Sequence, residues 1–164
     1  CRNAGNMIPP YGDLKGGVSA TIEYAVLALN IQHIIVCGHT DCGAMKALQH
    51  PEKTEDMSTV RIWLGHGETA RRIVREAYSE LSEEAALHAL TEENIVAQLE
   101  HLKTHPSVAS RLATGDVSLH GWNYHIRTGD IDAWDTQRGR FVPIQQYSLA
   151  SARPRPRLQR ELAR

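Results

Sequence analysis

Little in the 164 residues is available for covalent bracing, and nothing is available for crossing a bilayer. There are three cysteines, an odd number, which does not read as a disulfide framework and fits thiols kept reduced in a cytoplasm. No apolar stretch approaches the ~20 residues of a membrane-spanning helix, and no secretory pattern opens the chain. The formal net charge is −1, so no overall field draws in nucleic acid or an anionic membrane. Internal repeats and a second domain are missing too. What remains, 41% hydrophobic and 23% charged, is the composition of one globular domain with a sizeable core.

The pattern along the chain alternates helix and strand signals. A turn-rich stretch, "IPPYGDLKGG", follows the opening "CRNAGN". Val18, Ile22, Ala25, Val26 and Leu29 then recur at helical spacing and predict an amphipathic helix. "HIIVCG" is a short, β-branched apolar run ending at Gly38, and predicts a fully buried strand of a mainly parallel sheet. "TDCGAMKALQH" predicts a helix opened by Thr40 or Asp41 and stopped near Pro51. Residues 58–102 read as almost entirely helical, with a break at His105-Pro106 and a short helix through Leu112. "DVSLHGWNYHI" and "IDAWD" read as strands of a hairpin turning at "RTGD". The expectation is an α/β fold, a mainly parallel sheet core flanked by helices, occupying residues 1–150. Residues 151–164, with five arginines and two prolines, are expected to form a solvated, disordered tail.

The chemistry concentrates just past the predicted strand. His39 and Cys42 lie three positions apart at the start of a helix, where ligands collect in open α/β sheets. The helix N-terminus favours negative charge and suits Cys42 as a thiolate. Imidazole with thiolate suits zinc. Spacing alone leaves alternatives open: a packed histidine with a buried thiol, or a nucleophilic Cys42 activated by His39. Cys37, within the strand, is expected to behave as a small buried hydrophobe.

Four ordered segments, "RNAGNMIPPYG", "GGVSATIEYAVLALNIQHIIVCGHTDCGAMKAL", "ENIVAQLEHLKTHPSV" and "GDVSLHGWNYHIRTGDI", resemble a β-class carbonic anhydrase of the bacterial, cyanobacterial and plant type. The resemblance runs from Cys1 to about Pro143. It implies reversible hydration of CO2 to bicarbonate and a proton by a zinc-bound hydroxide, and homodimers that build larger assemblies. It implies one zinc per site held by two cysteines and a histidine, of which His39 and Cys42 match the H-x-x-C pair. Gly16, Gly17, Tyr24 and Gly43 match positions that line the substrate cleft; turn glycines and a core tyrosine are their structural alternatives. Arg2 matches an arginine tied in some relatives to a second bicarbonate site, though an ion pair at a strand end is the expectation here. Asp41 is expected to cap the helix, and His120 and Trp122 to belong to a core strand.

One part of the pattern is missing. The second zinc cysteine and an Asp/Arg pair belong to a C-x-D-S-R motif that precedes R-N-x-x-N in relatives, and it does not occur in this sequence. Cys1 is too late in the pattern to replace it. The expectation is therefore an N-terminally incomplete enzyme, without its leading helices and first strand and inactive alone. The alternatives are a non-catalytic remnant serving as a binding or assembly module, or an unrelated metal-binding α/β protein.

Overall fold

The computed structural model describes residues 1–12 and 16–148. Among these, four strands make one sheet in the order β1 (His33–His39), β2 (Ser118–Tyr124), β3 (Ile131–Asp135) and β4 (Arg140–Pro143). β1 and β2 run parallel, with Ile35 opposite His120, while the β2/β3 and β3/β4 ladders are antiparallel. The α/β class with flanking helices holds, and the sheet is mixed. Connection length explains the mixture, since parallel neighbours need a long crossover and antiparallel ones need only a tight turn. Residues 40–117 supply the crossover; 125–130 and 136–139 are turns. β4 was not expected from the sequence. It is four residues long, and its signal is the Asp135 turn, whose carboxylate accepts from the backbone N–H of Gln137 and Arg138 before Gly139 at φ +62°.

Helices follow the apolar spacing. α1 (Gly17–Leu27) starts as expected, and α2 spans Gly43–Gln49. The helical run predicted over 58–102 divides into α3 (Ser58–Leu64), α4 (Glu68–Ala77) and α5 (Glu83–Thr104). Ser82 caps α5 by accepting from the Ala85 N–H at 3.3 Å, Glu83 and Glu84 complement its first turn, and Pro106 opens α6 (Pro106–Thr114) after the expected break. Two apolar clusters form the core. One joins Met7, Cys42, Met45, Leu48 and Leu90; the other joins Val26, Val36, Ile95, Leu99 and Leu102.

The expected full burial of "HIIVCG" is not observed. β1 is an outer strand among the described residues, so Ile35 is 45% exposed and Cys37 is exposed too. Cys37 is therefore not the buried small hydrophobe expected, although partial enclosure still pushes its thiol pKa up. Leu29, placed in the α1 stripe by its spacing, lies beyond the end of the helix and is 63% exposed. Residues 151–164, expected as a solvated tail, lie outside the described residues.

α5 lies close on the sheet because two strand positions lack a side chain. A Cβ at Gly121 would stand 2.7 Å from Ile95 Cγ2 and 3.1 Å from Leu99 Cδ1, and one at Gly38 would stand 2.9 Å from Ile95 Cδ1. Gly121→Ala should therefore overpack this layer and lower stability by about 1–3 kcal/mol. A urea titration reads this as a lower midpoint; an unchanged midpoint would show that the layer yields freely.

Candidate metal centre

β1 delivers His39 at its carboxyl end, and the chain is pinned immediately afterwards. The Thr40 N–H donates to the Tyr124 carbonyl at 2.9 Å, and the Thr40 hydroxyl accepts from the Ile126 N–H at 3.1 Å. His39 Nδ1 lies 2.8 Å from the Thr40 carbonyl oxygen. A carbonyl only accepts, so Nδ1 carries the proton and Nε2 keeps its lone pair. That tautomer is the one a metal needs from an imidazole fixed through its other nitrogen.

Asp41 takes a left-handed backbone conformation, φ +57°, and turns the chain from strand to helix. It is not the helix cap expected from the sequence. Cys42 occupies the N-cap position, without a side-chain capping bond, and α2 begins at Gly43. The Asp41 carboxylate pairs with Lys46 instead, which holds its pKa below the usual range. Both groups are well exposed, so this pair orders the turn more than it stabilises the fold.

Cys42 is 5% exposed, packed with Met7, Met45 and Leu48. Beneath it lies the segment Ala4–Asn6, where Gly5 at φ +75° approaches Ala44 and Met45 closely. A polar stripe along α5 and its C-cap, absent from the sequence expectations, fixes this segment and the residues that follow it to Pro9. Asn94 donates to the Gly5 carbonyl at 3.0 Å, Gln98 accepts from the Ile8 N–H at 2.7 Å, His101 donates to the Ile8 carbonyl at 2.7 Å, and His105 donates to the Pro9 carbonyl at 3.0 Å. Gln98 also donates to Asn94 and to the His66 carbonyl. Residues 94, 98, 101 and 105 recur at helical spacing. Polar residues on a helix face that should be apolar were the available signal.

The remaining candidates are spread out. Gly16 is the N-cap of α1 and Gly17 its first residue. Tyr24 is 63% exposed, so it is not the core tyrosine its alternative reading required. A Cβ at Gly43 would meet nothing within 4 Å, leaving open space beside the Cys42 backbone. Arg2 is exposed and forms no ion pair among the described residues, contrary to expectation. Cys1, Asn6, Ile22, Ile34, Ile35 and Cys37 border a groove of about 270 Å³ along the free side of β1, and the Asn6 Nδ2 there is buried without a partner. Among the described residues no three His, Cys, Asp or Glu side chains gather as a metal-binding group. His39 and Cys42 thus offer two soft donors whose chemistry fits zinc, which is part of a tetrahedral set.

His120 belongs to the core strand, as expected, and is 3% exposed. Its Nε2 lies 3.1 Å from His33 Nδ1 and its Nδ1 2.9 Å from the Tyr147 hydroxyl. Burial, and then the neighbouring His33, push its pKa down. The unfolded chain binds a proton here near pH 6.5, whereas the folded chain binds it only at lower pH. The stability contributed above that value is therefore lost as the pH falls through it. Urea midpoints measured from pH 7.5 to 5 should fall more steeply for the native chain than for His120→Gln; parallel profiles would contradict this assignment.

Known proteins resemble this chain over most of its length. A family model described as "Carbonic anhydrase" matches residues 1–131. The chain is 47% identical over 146 residues to a carbonic anhydrase of Pseudomonas aeruginosa, covering 89% of this chain and 66% of that protein. It is 47% identical over 155 residues to carbonic anhydrase 1 of Escherichia coli O157:H7, covering 93% and 69%. The solved β-carbonic anhydrase CcaA superposes with a TM-score of 0.84 at 48% identity, covering 87% of this chain and 64% of that one. The chain thus spans about two thirds of the length of these relatives.

Proposed function

Because the chain belongs to the β class of the carbonic anhydrase family, we propose that it carries part of the active centre for zinc-dependent, reversible hydration of CO2 to bicarbonate and a proton. The observation that carries this reading is the end of β1. His39 presents a free Nε2 because the Thr40 carbonyl holds Nδ1, and Cys42 follows at the N-cap of α2. These two side chains would hold one zinc ion, which when bound supplies the Lewis acidity that brings the pKa of water toward ~7.

The chain's own residues do the positioning. The Thr40 carbonyl fixes the imidazole tautomer, the Thr40 N–H anchors the strand end to β2 and its hydroxyl to the turn that follows, and Gly43 leaves room for a small apolar substrate beside Cys42. Gly16 and Gly17, exposed at the front of α1, and Tyr24, exposed in its second half, are assigned to the cleft, completed in a homodimer or larger homo-oligomer. A third ligand, a cysteine, and the Asp/Arg pair that positions the attacking oxygen are assigned to a C-x-D-S-R segment, which these 164 residues do not contain. Three free cysteines suit a cytoplasmic setting, and no described helix is long and apolar enough to cross a membrane.

A second reading has one observation in its favour. With no group of three His, Cys, Asp or Glu side chains among the described residues, the chain could serve as a non-catalytic binding or assembly module. CO2 hydration by stopped flow separates the two. Residues 1–164 alone should show essentially no turnover, and a chain extended through C-x-D-S-R should be active. Comparable turnover by 1–164 alone would overturn the assignment of the missing ligand, and an inactive extended chain with the motif intact would favour the module.

A further inference from the structure

The first half of α5 and the turn before it border a second groove, of about 680 Å³. Tyr78 and Leu81, each 42% exposed, contribute from the turn, and one face of α5 contributes Glu84, His88, Glu92 and Glu93 with two alanines between them. The carboxylates are poorly compensated. Glu84 has no cationic partner among the described residues, Glu92 meets only His88 at 3.3 Å, and Glu93 accepts only from the Tyr78 hydroxyl at 3.3 Å. The local field is negative enough to register on its neighbours. Glu93 raises the Tyr78 pKa, and Glu92 raises that of His88 against the effect of burial.

The opposite charge is found at the end of the same chain. Residues 151–164 hold five arginines and one glutamate, so the rest of the chain carries a formal −5 of the total −1. We propose that this groove binds the arginine-rich segment 151–164 of its own chain. Arg153, Arg155 and Arg157 alternate with Pro154 and Pro156. In an extended proline-rich strand, at ~3.1 Å per residue, Arg153 and Arg157 stand about 12 Å apart. Eight residues of helix at ~1.5 Å separate Glu84 from Glu92 by about 12 Å as well. Guanidinium groups pair with carboxylates in a fork and stack on aromatic faces such as Tyr78, which ammonium groups do less well. The segment also carries an apolar side chain, Leu158, and the groove an exposed one, Leu81.

The test uses the full chain with its own segment disabled, Arg153→Ser, Arg155→Ser and Arg157→Ser, and a fluorescent peptide of residues 149–164. Anisotropy should show saturable binding that weakens roughly tenfold with Glu84→Gln plus Glu93→Gln, two partly exposed ion pairs. Binding should also weaken when salt rises from about 50 to 300 mM, as the Debye length shortens. The chain with native arginines should bind the peptide more weakly, because its own segment competes. Far-UV circular dichroism confirms that the variants are folded. Absence of binding, or equal binding by the glutamine variant or by a scrambled peptide of the same composition, would overturn the proposal and leave 151–164 a solvated tail. Light scattering across concentration should give the same oligomeric state for the native chain and the triple serine variant; an oligomer lost with the three arginines would overturn docking within one chain.

Discussion

Cys42→Ser, introduced into a chain that also carries the C-x-D-S-R segment, is expected to reduce zinc affinity roughly 100- to 1,000-fold and to abolish most CO2 hydration. A complete structural zinc site gains about 10–16 kcal/mol, so each of three or four ligands accounts for about 3–4 kcal/mol, and every 1.4 kcal/mol is tenfold. A serine hydroxyl stays protonated at neutral pH and does not replace a thiolate. Since Cys42 is also 5% exposed among Met7, Met45 and Leu48, the hydroxyl costs about 1–3 kcal/mol of folding stability as well. Circular dichroism must therefore establish the fold before zinc is quantified and turnover measured. Cys37→Ser is the matched control, the same atom change on an exposed thiol of β1. If the two variants retain equal zinc and equal turnover, Cys42 is not a ligand.

Gln98→Ala is expected to lower folding stability by about 3–5 kcal/mol, a large part of the margin of a domain this size. Gln98 is fully buried and serves four partners at once: it accepts from the Ile8 N–H and from His101 Nδ1, and donates to the His66 carbonyl and to Asn94. Alanine leaves those groups without their partner, and a buried polar group left unsatisfied costs about 1–3 kcal/mol; the lost volume adds to it. The loss also reaches the candidate centre, because the strip from Gly5 to Ile8 that Gln98 holds down packs beneath α2 and Cys42. Denaturant midpoints measure the effect. A change under about 1 kcal/mol would mean that solvent replaces the amide without penalty.

The elements whose signal is local were legible in the sequence. The apolar spacing from Val18, the β-branched run ending at Gly38 and the turn between β2 and β3 each fix their own backbone. The misreadings arose where the outcome depends on what lies across from an element. "HIIVCG" has the composition of a strand covered on both faces, yet composition does not report that, among the described residues, β1 has a strand neighbour on one side only. Asp41 has the chemistry of a cap, but its left-handed turn hands that position to Cys42. The stripe Asn94, Gln98, His101 and His105 was visible at helical spacing, and its purpose was not, because its partners are backbone groups some ninety residues earlier. For His39 and Cys42, spacing offers only a modest pair; the resemblance of the ordered motifs around them is what proposes the pair as ligands.

The uncovered side of β1 has a consequence for handling the chain. Among the described residues, every second residue from His33 to His39 presents its backbone donor and acceptor outward, and no lysine or proline in the strand discourages a like strand from pairing there. With Ile35 displayed on the same ribbon, one molecule is a template for the next. Concentrated on its own, the chain is expected to aggregate edge to edge, and a short peptide that binds along β1 would act as its solubiliser.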